Sequence, residues 1–165
     1  MDIEYLYDDP PMIEKIESDG EIALLVPVAV DHDEGYIYFV WVAFSPYEEG
    51  VLEYSFCIIR RNPTRDEEIP YWSGLETKDV FTCPKGREFI RMVIHALTNS
   101  LIEAVAPDRV YRCTFDIHPP DKALDKHHMI SWLFRSKGYS VMTTDPWQGH
   151  RTWIMEKIDS GTNQA

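Results

Sequence analysis

A chain of 165 residues with 44% hydrophobic and 13% aromatic residues can bury one full core and is too apolar to stay disordered. Its formal net charge is −12, and the imbalance is local: thirteen of the 28 acids but only one of the 16 bases, Lys15, lie in residues 1–50. That surface disfavours nucleic acid as a direct partner, because phosphate binding needs a basic face, and no apolar run of about 18 residues offers a membrane span.

The acidic stretch either attracts a cationic small molecule or basic protein, or serves only to keep the surface solvated. "MDIEYLYDDPP" is acidic where a signal peptide is basic. Cys57, Cys83 and Cys113 are odd in number and lack CxxC spacing, which predicts reduced thiols in a cytoplasmic protein.

In chain order, residues 3–7 predict a short strand and "PPMIEKIES" a short helix, with Pro at its start and Met12, Ile13 and Ile16 along one side. Three strands follow at 21–30, 35–44 and 51–60, separated by the turn sequences "DHDEG" and "SPYEEG". Pro27 is placed at a bulge or on an edge strand. Residues 62–82 read as an irregular, functional or mobile loop. A long helix runs over 84–106, a strand over 108–117, and a second helix over 122–137, stopped by Gly138. Strands at 139–144 and 151–158 form a closing hairpin around "DPWQGH". The expected fold is a single α+β domain over 1–158, its mixed, mainly antiparallel sheet flanked by helices in the order β-α-βββ-α-β-α-ββ. Residues 159–165 form a flexible tail.

This order resembles the GNAT acyltransferase superfamily over nearly the whole chain. In "HHMISWLFRSKGY", Gly138-Tyr139 matches the family's Gly-aromatic pair. His127 stands where family members carry Asn, Ile130 where they carry Ala, and Phe134 where they carry Tyr. The resemblance implies an acyl-CoA-dependent N-acyltransferase using acetyl-CoA or another acyl-CoA, with a cationic amine as acceptor. It implies that "TCPKGREFIR" forms the pyrophosphate loop, where Lys85, Gly86 and Arg87 meet the anion at a helix start, and that His127 also lies at the cofactor. Glu53 is the candidate base, on a strand where some members keep a carboxylate. Phe134 cannot donate the proton that a departing thiolate requires. The alternative is therefore a non-catalytic relative that uses its acidic face to contact a basic protein or small ligand. Asp31, Asp33 and Glu34, together with Tyr71, Trp72 and Trp147, are its candidate contact surface.

Metal binding is not expected. His127 and His128 are adjacent, so they point about 100° apart on a helix, and no His-x-x-x-His pair accompanies His118. Cys83 at a helix start is a candidate reactive thiol, but without an identifiable base it is not a predicted nucleophile.

Overall fold

A computed structural model describes residues 1–8, 12–114, 121–144 and 147–159. Among them are nine strands and two helices: β1 (Ile3–Tyr5), β2 (Glu14–Ser18), β3 (Glu21–Asp31), β4 (Tyr36–Glu48), β5 (Val51–Asn62), β6 (Glu67–Tyr71), α1 (Pro84–Val105), β7 (Arg109–Cys113), α2 (Asp121–Ser136), β8 (Tyr139–Thr143) and β9 (Thr152–Lys157). All nine strands join one mixed sheet in the order β1-β3-β4-β5-β7-β9-β8, with β2 also beside β3 and β6 beside β5.

This overturns the expected α+β arrangement β-α-βββ-α-β-α-ββ. The chain opens with six strands before its first helix, and sheet dominates. The first correction is the helix predicted in "PPMIEKIES". Of this segment, Glu14–Ser18 is an exposed strand paired antiparallel with β3, from Glu14↔Leu25 to Ser18↔Glu21. Asp19 (φ 51°) and Gly20 (φ 80°) make the two-residue turn between them, and Asp-Gly suits the left-handed conformation that such a hairpin needs. The second correction lies in 62–82, where β6 folds back on β5 from Asn62↔Glu67 to Ile58↔Tyr71. Asn62 fixes that turn: its Oδ1 accepts from the Thr64 and Arg65 amides at 3.0 and 3.2 Å and from the Thr64 hydroxyl at 2.7 Å.

Alternate residues of the central strands build the core. Val26 and Val28 of β3, Val40, Val42 and Phe44 of β4, and Tyr54 and Phe56 of β5 cluster with Ile90, Ile94, Leu97 and Leu101 of α1 and with Ile130 and Phe134 of α2. Burying each such side chain contributes about 1.5–3 kcal/mol. Pro27 coincides with a register shift in the β3–β4 ladder, so its missing donor is accommodated there.

One irregularity positions the site. β5 and β7 are parallel neighbours, yet among the described residues they pair only at Leu52↔Val110 and Glu53↔Tyr111. Beyond those pairs β7 continues beside β9, while β5 next gains β6, from Ile58 onward. Between the two partnerships, residues 54–57 of β5 have β4 on one side and no described strand on the other. The sheet is split there.

Candidate functional site

The split is occupied by a cavity of about 630 Å³, within the range of small-molecule sites. Phe56 and Ile58 of β5 and Ile90 and Ile94 of α1 give it apolar walls, with residues 71–75, Thr77, Lys78 and Phe81 also in its lining beside residues of β7 and α2. Its charge runs against that of the chain. Among the described residues, Lys78, Arg87, Arg91, Arg112 and Lys126 line it against one acid, Asp125, and none of residues 1–50 contributes.

Helical spacing brings Arg87 and Arg91 to one face of α1, four residues apart. Arg87 Nη1 also donates to the Phe81 carbonyl at 3.4 Å, tying the helix start to the loop before it. Arg112 follows from strand alternation: Val110 and Arg112 are the buried positions of β7. Arg112 is 3% exposed, and its guanidinium carbon lies 4.9 Å from the centre of the Phe56 ring. Burial lowers its pKa to about 10, partly opposed by Tyr54, Cys113 and Glu53, so it stays cationic at neutral pH. Lys126 Nζ lies 5.8 Å from the same ring, an arrangement in which an aromatic face helps to hold two cations.

His127 completes the inner wall. Its ring stacks on Trp153 at 4.8 Å and 14°, and it lies 6.0 Å from Phe56. Nδ1 is buried with no hydrogen-bond partner among the described residues. Burial first, then Arg112, Lys126 and His128, push the imidazole down to about 3, so it is neutral near pH 7. Because the folded pKa lies below the ordinary 6.5, stability is complete above pH 6.5 and is lost as pH falls toward 3. The slope is roughly 1.4 kcal/mol per pH unit. His127→Phe keeps a ring against Trp153 and is expected to flatten that slope. Urea unfolding at about pH 7 and about pH 4.5 checks this, and parallel losses in both proteins would place the acid sensitivity elsewhere.

The fold gathers some of the sequence candidates and disperses others. Arg87, His127, Tyr71 and Trp72 line the cleft, with Trp72 set edge-on against Trp41 at 5.7 Å. Lys85 does not line it; its Nζ sits 5.0 Å from the Tyr7 ring. Gly86 is buried, and an added Cβ would fall 2.1 Å from Tyr5 Cζ, so its missing side chain makes room for that ring. Glu53 is half-buried beside Ser45 and Tyr111, outside the cleft lining. Phe134 is fully buried in the core. Trp147 is 72% exposed, in a turn closed by reciprocal hydrogen bonds with His150.

Of the acidic trio, Asp31 is 1% exposed and accepts from the Asp33 and Glu34 amides at 3.0 and 3.4 Å. It holds the β3–β4 turn. Asp33 pairs with the Met1 ammonium at 3.0 Å, and Glu34 is exposed.

Arg91 is one of the helix-start bases of "TCPKGREFIR", but sequence reasoning missed Lys78, Arg112 and Lys126. Only Arg112 carried a local signal, a base at an inward position of a strand. Cys57 also borders the cleft, but burial pushes its thiol up to about 12, so it is a poor nucleophile. His118 lies outside the described residues. Among those described, no three His, Cys, Asp or Glu side chains gather as metal ligands, and no helix is long and apolar enough to cross a membrane. The chain matches no family model, no curated protein and no solved structure.

Proposed function

We propose that this protein binds a ligand of the acyl-CoA class in the cleft between β5 and β7. The observation that carries this reading is a basic, apolar-walled cavity in a chain whose net charge is −12. A polyanionic head suits Lys78, Arg87 and Arg91, since guanidinium groups bind phosphate through paired hydrogen bonds. An apolar arm suits Phe56, Ile58, Ile90 and Ile94. The test is a thermal-shift titration with CoA and acetyl-CoA. A ligand at 100 times its Kd stabilises the folded state by about 2.7 kcal/mol, which corresponds to several degrees in Tm for a domain of this size. Arg87→Glu with Arg91→Glu is expected to abolish the shift, and raised salt to weaken it. An unmoved wild-type Tm at millimolar ligand would sink the reading.

Acyl transfer to an amine is the second reading, and Tyr71 favours it. This phenol-bearing residue lines the cleft, whereas Phe134 is enclosed in the core. A phenol can protonate a departing thiolate where a phenylalanine cannot. Release of free CoA thiol in the presence of amines distinguishes transfer from binding alone. Tyr71→Phe should slow that release without abolishing the thermal shift.

A further inference from the structure

Depth divides the cations of the cleft into two groups. Lys78, Arg87 and Arg91 are exposed, while half-buried Lys126 and buried Arg112 both stand against the Phe56 ring of the inner wall. The lining also carries the apolar side chains of Phe56, Ile58 and Ile94. A ligand with a single anionic head would be satisfied at the rim. Burying a guanidinium is costly unless its surroundings compensate, so a buried cation in an apolar-walled cleft suits a second negative charge. Phe56 and other protein groups already engage Arg112, and a ligand anion would add to those contacts.

The inner wall also offers neutral polar partners. Thr114 is 4% exposed and lines the cleft; its hydroxyl accepts from the Arg151 amide at 3.0 Å, which leaves the hydroxyl proton to donate. His127 brings a buried Nδ1 with no described partner and adds no like charge against Arg112. An ionised carboxylate has four lone-pair sites, so it can accept from a guanidinium fork and from a neighbouring donor together.

Resting on the acyl-CoA reading above, we propose that the acyl group of the ligand ends in a carboxylate, as in a dicarboxylic acid monothioester, and that Arg112 receives that carboxylate. The protein then selects its ligand at both ends, by phosphate at the rim and by carboxylate at depth.

Calorimetric titration with CoA, acetyl-CoA, butyryl-CoA and succinyl-CoA tests this. Butyryl-CoA matches the four-carbon length of succinyl-CoA without its terminal charge. Wild type is expected to bind succinyl-CoA about tenfold or more tighter than butyryl-CoA, the preference of a site built around a charge-assisted pair. Arg112→Gln should bring that ratio to about one while holding CoA affinity within about threefold. Equal wild-type affinity for the butyryl and succinyl forms would overturn the inference and leave the acyl-CoA reading standing. Failure of all four to bind would overturn both. Should Arg112→Gln not fold, the wild-type ratio still decides, and Arg112→Lys, which keeps the charge but loses the fork, should give an intermediate preference.

Discussion

Phe134→Tyr is expected to cost about 3 kcal/mol and to confer no acyl transfer. The ring is fully buried, with its centroid 5.3 Å from that of Tyr139, 6.1 Å from that of Tyr54 and 6.3 Å from that of Phe44. A hydroxyl placed there without a partner loses about 1–3 kcal/mol of hydration, and the extra volume strains a packed core by a similar amount. For a domain of this size that is a fall of roughly 6–12 °C in Tm. Thermal unfolding and a CoA-release assay on the same preparation check both halves. A stable variant with new turnover would mean that the position opens toward the cleft after all.

Gly86→Ala is the second substitution expected to have a large effect, although its exchange for alanine in a helix ordinarily stabilises by about 1 kcal/mol. The new Cβ would stand 2.1 to 2.6 Å from three atoms of Tyr5, far inside contact distance. Tyr5 has little room to retreat, since its ring stacks on Tyr7 at 5.5 Å and meets Phe81 at 6.1 Å. Overpacking costs about 1–3 kcal/mol and should outweigh the helix gain, displacing β1 from α1. The control is Tyr5→Ala. In that background Gly86→Ala should become neutral or stabilising, and a double-mutant cycle reads the coupling directly. If Gly86→Ala destabilised equally without the Tyr5 ring, the glycine would be serving some other neighbour.

Strong periodicity made part of the architecture readable. α1 carries apolar residues at helical spacing behind Pro84, and β3, β4 and β5 alternate between good turns, so these elements fall close to where the sequence puts them. β2 failed because Met12, Ile13 and Ile16 mimic one helical face, and that pattern outweighed the Asp19-Gly20 turn signal. β6 failed because an edge strand needs few apolar residues: Glu67, Ile69 and Tyr71 are only partly buried, and Pro70 sits opposite Ile59.

The site was less readable than the fold. Its cations come from residues 78 to 126 and converge only through tertiary packing, while the excess acid in residues 1–50 gives the chain the opposite overall sign. Lys85 and Arg87 looked like a pair, but two helical residues that far apart point about 200° from each other, and the true companion of Arg87 is Arg91. His127 was singled out by an alignment; the stacking on Trp153 that holds it in the cleft has no sequence signature.

The seam between β5 and β7 has a mechanical meaning as well. Among the described residues, two residue pairs make the strand-to-strand weld between the six N-terminal strands and the β7-β9-β8 leaf. By contrast β4 and β5 share a ladder running nearly the full length of both strands. Load applied across the sheet therefore concentrates at Leu52–Glu53 and Val110–Tyr111, while α1 packs on β3 and β4, α2 packs on β8 and β9, and the two helices meet each other. The cleft lies beside that joint, where the sheet has its least backbone bonding among the described residues.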